Sequence, residues 1–428
     1  MKKIIFLINI LIFTQLSAED NLKFFVNKAI ENNLELNAER KNLESVKQSK
    51  NISRSEFLPS ITISGDQTSS TSSNRTDQSG SSLTDTNLDS ESKKISIEQK
   101  IFSGFKGLNT FKKSELETQR ANLELKEKEQ KTILDTAFAY YDLIYKTKNE
   151  RVNISNVNLF ERQVEYDNAR VQKGEASLTD LAQSESSLAG ANANLIKAKT
   201  ELLSSISNFE RVTRESAPNI ENLNGKEILS LPSSLNSAQE ISNLNNINLL
   251  ISKLNFEISK KELNIERSRF SPTASIEVSK TENNDFSSTV DEKDEEKVKA
   301  TITWPIIKGG ENISAIKKST FNKQRYQLLL EDTKNKISID TSNSWSKYQS
   351  SKSVLEATMA QLKAAEIANE GITLEYDSGN TRTTLEVIQS RSLLFDARIA
   401  FAKAERDFMI SQFELAKQIG TLSKNSLK

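Results

Sequence analysis

The chain has 428 residues, of which 36% are hydrophobic and 27% are charged, and its 58 basic residues balance its 58 acidic residues. A balanced charge does not favour nucleic acid as a partner. The absence of cysteine and histidine excludes disulfides and thiolate metal sites, and it removes the commonest general base. We therefore predict no catalytic residue, no cofactor and no metal site. The low content of proline and glycine is typical of long solvated helices rather than of one thick core.

The first residues, MKKIIFLINILIFTQLSAED, are typical of a cleavable secretory signal. Two lysines precede an apolar run from Ile4 to Phe13, and small residues follow up to Ala18. The run is too short to cross a bilayer as a helix, which needs about 20 residues. A buried first helix is the alternative. We predict a signal peptide over residues 1–18.

Two segments after the signal alternate apolar and polar residues with the period of a strand. PSITISGD sets Ile61 and Ile63 against polar neighbours, and KKISIEQKI does the same with Ile95 and Ile97. These patterns predict strands at about residues 60–67 and 93–101, joined by a very polar loop. A soluble sheet would alternate in the same way, so alternation alone does not indicate a membrane.

A long helical hairpin is predicted over residues 105–210. The first helix contains no proline, and Gly174 is suited to ending it because a left-handed C-cap favours glycine. After the turn, Leu181 begins a column of large apolar residues at period seven, and Ser184 begins a parallel column of Ser and Ala. Period seven predicts helices that pack with a coiled-coil twist. A simple two-stranded coiled coil would carry Leu or Ile in both columns, so the small column favours a broader helical sheet or barrel. The tip of the hairpin is predicted near residues 174–180.

The second half of the chain repeats the first half in the same order. A linker at 214–240, which we interpret as a belt around the helices, leads to predicted strands at about 273–280 and 297–304. A second helical hairpin is predicted at 311–419, with its tip near 377–386, and a tail at 421–428. Matching pairs of residues keep nearly constant offsets: Pro59 and Pro272, Gly174 and Gly379, Gln183 and Gln389. Such an ordered series indicates a duplication, with repeats at 19–213 and 241–420.

Four short strands cannot enclose a pore in a membrane, and an open sheet edge in lipid is forbidden. Trp304 at a strand end is typical of an interfacial aromatic residue. The membrane interpretation therefore requires several copies of the chain, and three copies would supply twelve strands.

These features together resemble the TolC-like outer-membrane efflux family. The most specific stretch is YDSGNTRTTLEVIQSRSLLFDARIAFAKAERDFMISQFELAKQIGTL, from Tyr376 to Leu422. The resemblance implies a mainly α fold with a small membrane β-barrel, built from two tandem repeats of helix, β-hairpin and long helical hairpin. It implies a homotrimer whose α-barrel is continued by a shared 12-strand β-barrel in the outer membrane, with the helical portion in the periplasm. Such a channel works with a periplasmic adaptor and an inner-membrane pump, proton-driven or ABC, and passes drugs or secreted protein.

The resemblance also implies a gate at the periplasmic tip. It assigns Thr179, Asp180, Tyr376 and Arg382 to the polar contacts of the gate, Glu386 and Gln389 to a pore-constriction ring, and Gly174 and Gly379 to the hairpin tips. Asp180 and Arg382 carry opposite charges on matched turns, and an exposed pair of this kind is worth about 0–1 kcal/mol. Several such pairs would hold a constriction shut and still release it when a partner binds. The alternative is that these are ordinary solvated charges. Asn380 is an extra residue relative to the family pattern, and Gln389 replaces an acidic residue of some relatives.

The main alternative function is a periplasmic or surface coiled-coil structural protein without a channel. It explains the heptads but not the paired amphipathic strands or the duplicated tips. An inner-membrane adaptor would place barrel-rich segments around a single hairpin. An enzyme is disfavoured, because the sequence shows neither a Gly-rich phosphate loop nor a nucleophile motif.

Overall fold

The computed structural model describes residues 22–218, 229–287, 290–378 and 382–427. The predicted signal peptide at 1–18, the tip residue Gly379 and residues 219–228 of the predicted linker lie outside the described residues. The chain forms two compact units. Among the described residues, the first contains those up to Glu39, those of Lys126–Ile247 and those from Asn335 onward, and the second contains those of Arg40–Leu125 and Asn248–Lys334.

The described elements occur in the same order in both halves of the chain: two helices, two strands and two long helices. The helices are α1 (Leu22–Asn32), α2 (Leu34–Ser55), α3 (Lys106–Gln172), α4 (Leu178–Thr213), α5 (Leu235–Asn245), α6 (Ile247–Arg267), α7 (Glu311–Asp377) and α8 (Thr384–Gln418). The strands are β1 (Ser60–Ser72), β2 (Thr86–Ser103), β3 (Thr273–Ser287) and β4 (Val290–Thr303). The prediction of a mainly α fold with a small sheet is confirmed. Within the described ranges, no helix is apolar over a length sufficient to cross a membrane.

The small heptad column of each long hairpin is buried, which explains how its helices pack closely. In α4 the buried members are Ser184, Ala191, Ala198 and Ser205, and in α8 they are Ser390, Ala397, Ala404 and Ser411. Most of the large column of α4 is only half-buried. The largest fully buried side chains of the first unit lie near the C-terminal end of α4. There the Phe25 ring packs 4.9 Å from the Phe209 ring and 6.1 Å from the Tyr140 ring.

The four strands form one antiparallel sheet in the order β1-β2-β3-β4. The strands are longer than predicted, because β1 continues to Ser72, β2 begins at Thr86, β3 continues to Ser287 and β4 begins at Val290. The predicted bounds are shorter because they follow only the alternation of apolar residues. The backbone ladder needs no apolar side chain, and threonine is itself a good strand former, so pairing continues through the Ser-, Thr- and Asn-rich stretches. The polar loops between the strands are therefore shorter than predicted.

The end of α8 packs closely on the break between α5 and α6. Gly420 has a φ of +79°, and a Cβ atom there would lie 2.2 Å from the backbone oxygen of Asn245. The Asn246 side chain donates a hydrogen bond to the Gln418 backbone oxygen at 2.7 Å. The predicted linker at 214–240 therefore includes the first residues of a helix, α5, whose Ala238 packs against Leu415 and Ile419.

We predict that Gly420→Ala destabilises the protein more than Gly174→Ala. Both glycines have a positive φ, which costs an L-residue about 1–2 kcal/mol. At Gly174 a Cβ would meet nothing within 4 Å, whereas at Gly420 it would overlap backbone atoms. Thermal or denaturant unfolding of the two variants measures the difference, and equal losses would contradict close packing at Gly420.

Candidate functional site at the hairpin tips

The turn between α3 and α4 is closed by backbone hydrogen bonds around Gly174. The Gly174 N–H donates to the Val171 oxygen at 3.0 Å, and the Glu175 N–H donates to the Arg170 oxygen at 2.9 Å. This is a Schellman arrangement, and it needs a left-handed residue after the helix. Gly174 supplies that conformation with a φ of +76°.

The helix α4 begins with a capping box between Ser177 and Asp180. The Asp180 N–H donates to the Ser177 hydroxyl at 3.2 Å, and the Asp180 carboxylate accepts from the Ser177 N–H at 3.0 Å and from its hydroxyl at 2.8 Å. The hydroxyl contact and then the backbone contact hold the pKa of Asp180 below its ordinary value. The capping box therefore supplies hydrogen-bond partners for the backbone N–H groups of Ser177 and Asp180 at the start of α4.

The helix α8 begins with the corresponding box between Thr383 and Glu386. The Glu386 carboxylate accepts from the Thr383 N–H at 2.7 Å and from the Thr383 hydroxyl at 3.1 Å. Arg382 bridges two acids, since its Nε lies 2.6 Å from Glu375 and its Nη1 lies 3.1 Å from Glu386. The Thr383 backbone contact first, and then Arg382, keep the pKa of Glu386 below its ordinary value of 4.5.

Tyr376 lies at the centre of a buried polar cluster. Its side chain is only 5% exposed. The Tyr376 hydroxyl donates to the Asp167 carboxylate at 2.9 Å and accepts from the Arg170 guanidinium at 2.8 Å. It also shares a hydrogen bond of 3.0 Å with the Thr384 hydroxyl. These contacts join α7 to both α3 and α8.

Asp167 is the buried acid of this cluster, and it is fully buried. Besides Tyr376, it accepts hydrogen bonds from the Ser184 hydroxyl and from the Gln163 amide, the latter at 2.9 Å. Ser184 belongs to α4, so the acid connects α3 to α4 as well as to α7. We call Gln163, Asp167, Arg170, Ser184, Tyr376 and Thr384 the tip cluster. Its members come from all four long helices.

Two further polar contacts connect α3 with α8, one at Gln163 of the tip cluster and one farther from the tip. Arg391 donates to the Gln163 side-chain oxygen at 2.8 Å, and burial lowers the pKa of its guanidinium. Arg406 pairs with Asp142 at 2.9 Å, and both side chains are largely buried. The first and second hairpins of one chain are therefore held together by buried polar contacts.

The comparisons with known proteins agree with this architecture over nearly the whole chain. The family model described as "Outer membrane efflux protein" matches residues 25–212 and 241–421. The chain belongs to the outer membrane efflux protein family.

Relatives in this family include the outer membrane efflux protein BepC of Brucella suis biovar 1 (strain 1330). It is 22% identical over 405 residues, covering 94% of this chain and 85% of BepC. The outer membrane protein TolC of Escherichia coli (strain K12) is 22% identical over 431 residues, covering 97% of this chain and 85% of TolC.

Solved structures of outer-membrane channels have the same fold. The CmeC channel of Campylobacter jejuni superposes with a TM-score of 0.81 at 16% identity, covering 94% of this chain and 86% of CmeC. VceC of Vibrio cholerae gives a TM-score of 0.78 at 15% identity, covering 93% of this chain and 96% of VceC. This member of the family is an efflux channel of the outer membrane with a periplasmic helical part. Its family is a channel family and not an enzyme family.

The structure brings some of the residues suggested by the family pattern together and separates others. Tyr376 is in the tip cluster, but its acidic partner is Asp167 and not Asp180. In the described part of this efflux channel, Asp180 and Arg382 do not form an ion pair with each other, because each binds within its own tip. Thr179 and Gln389 are exposed.

Sequence reasoning missed Gln163 and Asp167, although a signal for them exists. On α3 two columns at period seven are buried: Asn149, Asn156 and Gln163, and Asn153, Phe160 and Asp167. Polar residues at heptad core positions are costly unless hydrogen-bonded, and they often specify helix register. The departure from an apolar seam is thus a sequence indication of a polar contact between helices.

We predict that Tyr376→Phe destabilises the folded channel by about 1.5–3 kcal/mol, the usual value for a hydrogen bond to a charged group. The change removes the donor to Asp167 and the acceptor of Arg170 while keeping the ring. Tyr166→Phe is the matched control, since the Tyr166 ring lies 5.6 Å from the Tyr376 ring but Tyr166 is 41% exposed. Thermal unfolding should show a large loss for Tyr376→Phe and almost none for Tyr166→Phe. Equal stabilities would show that the hydroxyl contacts are not important.

We predict that the charge of Glu386 stabilises the protein above pH 4.5 and that this contribution is lost as the pH falls below that value. Its pKa is below 4.5 in the folded protein, so its stabilising effect is present above pH 4.5 and is lost as the pH falls through the lowered value. The melting temperature of Glu386→Gln, compared with the unmodified protein from pH 7 to pH 3, measures this. The gap between the two proteins should be constant above pH 4.5 and should shrink below it. A gap that does not change with pH would mean that the charge of Glu386 has no role.

Proposed function

We propose that the protein is the outer-membrane exit duct of a tripartite export system and is gated at its periplasmic tip. In this proposal, three copies form one channel, which receives drugs, other small molecules or secreted protein from an inner-membrane pump through a periplasmic adaptor. The observation that carries the gate is the tip cluster, in which a fully buried acid and a buried tyrosine connect all four long helices.

The four-stranded sheet supports the trimer. Its outer strands, β1 and β4, have no further neighbour in the described chain. In lipid every backbone polar group needs a partner, so an open edge would have to be covered. Pairing of β4 with β1 of the next copy satisfies both edges, and three copies give a closed sheet of twelve strands, which is within the range of outer-membrane channels.

The tip cluster supports a gate that is closed in the absence of a partner. Moving α7 and α8 away from α3 would separate Tyr376 from Asp167 and Arg170. It would leave a buried acid with fewer donors, and an unsatisfied buried polar group costs about 1–3 kcal/mol. The closed form is therefore favoured until an adaptor or pump compensates for the lost contacts.

Thr179, Asp180 and Arg382 are proposed to add contacts between copies at the same level. Because Arg382 is exposed and already paired with two acids, an additional contact with Asp180 of a neighbouring copy would exchange one partner for another. Such an exchange changes the free energy by little, since exposed ion pairs are worth about 0–1 kcal/mol each. We infer that these residues adjust the closed form, whereas the tip cluster determines it.

Glu386 and Gln389 are proposed to line the narrowest part of the pore. A trimer would place three Glu386 carboxylates there, and Gln389 would add no charge. Each carboxylate is also bound to Arg382 and Thr383. We therefore expect a weak cation preference at the tip.

The test is single-channel conductance in planar bilayers. Asp167→Asn and Tyr376→Phe should each raise the conductance several-fold, because they weaken the contact that holds the hairpins together. The combination of Asp180→Ala with Arg382→Ser should also raise it, by a smaller factor. Tyr166→Phe is the control and should leave the conductance unchanged. If the tip-cluster variants conduct like the unmodified trimer, the gate is disproved while the channel remains, and if the purified protein stays monomeric in detergent, the trimeric channel is disproved.

A further inference from the structure

One face of the sheet is mainly apolar near one end of the strands, with Gln99 as a polar member, and mainly charged toward the other end, where Val290 is an apolar exception. Four neighbouring residues in register form a fully apolar row: Ile61, Ile97, Val278 and Val298. All four are exposed. Toward the strand ends that lead into α3 and α7, the same face continues with Ile276 and Ile302, and Phe105 and Trp304 are exposed just beyond. We call this region the apolar band.

The character of the same face changes within two rows in the other direction. The next row contains Ile63, Ile95, Lys280 and Glu296, and the row after it contains Gly65, Lys93, Glu282 and Asp294. A further row contains Gln67, Glu91, Asn284 and Glu292. The lysines there pair with acids on the same face, Lys93 with Glu91 at 2.8 Å and Lys280 with Glu282 at 2.7 Å. We call the rows that contain Lys93 and Glu91 the charged extension, and the mixed row of Ile95 separates it from the apolar band.

The opposite face shows no such change. It is polar beside the apolar band, where Ser96 and Ser279 are in register, and it is polar beside the charged extension, where Lys94 and Thr281 are in register. Lys94 pairs with Glu277 on this face at 2.6 Å. On β2 this face is polar along its whole length except at Leu88, so it faces water on both sides of the change. The change from apolar to charged residues on the other face therefore indicates a change in the environment of that face. The pairing of the strands does not change there.

The lengths agree with a bilayer boundary between Ile95 and Lys93. The strand β2 has 18 residues, and the nine from Ile95 to Ser103 equal the ~9–11 residues that a tilted strand needs to cross the hydrocarbon layer. The nine residues from Thr86 to Lys94 exceed that need. Charged side chains on a lipid-facing surface are unfavourable, most of all near the middle of the bilayer.

We propose that only the apolar band contacts lipid hydrocarbon, and that the charged extension projects from the outer leaflet into water. The direction follows from the chain, because the apolar end of the strands leads into the periplasmic helices α3 and α7. The inference rests on the proposed trimeric channel, which turns the polar face toward the pore and the apolar face toward lipid. The partner of the apolar band is the acyl chains of the membrane.

Single cysteines test the boundary, since the natural chain has none. Ile97→Cys and Lys93→Cys lie four residues apart on one face of β2, and Val298→Cys and Asp294→Cys repeat the comparison on β4 with an independent pair. Ser96→Cys is the control, because it is next to Ile97 on the opposite face. Trimers in outer-membrane vesicles are treated with a membrane-impermeant maleimide, and the label is compared with that after denaturation.

Lys93→Cys and Asp294→Cys should react at least tenfold faster than Ile97→Cys and Val298→Cys, and Ser96→Cys should react at the fast rate. If positions 93 and 294 are as protected as 97 and 298, the boundary is wrong although the channel stands. If all five positions react equally fast in the vesicles, the sheet is not in the bilayer, and the proposed channel fails with it. Because each boundary position is tested on both β2 and β4, the comparison remains possible if one cysteine variant does not form a trimer.

Discussion

The burial of one acidic side chain, Asp167, is the constraint on which the arrangement of the hairpin tips depends. A buried carboxylate is tolerated only when donors surround it, because its transfer from water is otherwise very costly. Here the donors come from α3, α4 and α7, through Gln163, Ser184 and Tyr376. A shift of any one of these helices removes a donor from an acid that water cannot reach. The cost of that loss makes this arrangement of the four helices specific, since apolar contacts alone would tolerate sliding along the heptad.

The duplication places this constraint between the two repeats and not within one of them. Both repeats kept the capping box, Ser177 with Asp180 and Thr383 with Glu386. The residues of the tip cluster diverged. At the offset that matches Gly174 with Gly379, Asp167 corresponds to Ile372 and Tyr376 corresponds to Val171. One repeat thus supplies the acid and the other supplies the hydroxyl, so their bond can form only when the two hairpins lie side by side.

Much of the fold could be predicted from the sequence, because its signals are periodic and long. The heptad columns that begin at Leu181 and Ser184 extend over the whole of α4, and the apolar alternation around Ile95 and Ile97 marks the membrane half of β2. The other half of β2 was missed, because a ladder held by backbone hydrogen bonds leaves no apolar pattern in the sequence. The acidic partner of Tyr376 was missed for a related reason. The family pattern directs attention to Asp180, and only the packing of α3 shows that Asp167 is buried and Asp180 is in a helix cap.

The difference between Asp167 and Asp180 also separates two kinds of polar contact at one tip. Asp180, Arg382 and Glu386 are accessible to water, their partners are local, and each contact is weak and easily exchanged. Asp167 and Tyr376 are shielded from water, they bind each other although they are distant in sequence, and their separation leaves groups unsatisfied. A tip built only from the first kind would open and close with salt and pH. A tip built only from the second kind would be difficult to open at all. In the proposed gate, the exposed charges are accessible to a partner at the surface, and the one buried contact that the partner would have to break in each chain is the tip cluster, which connects all four long helices.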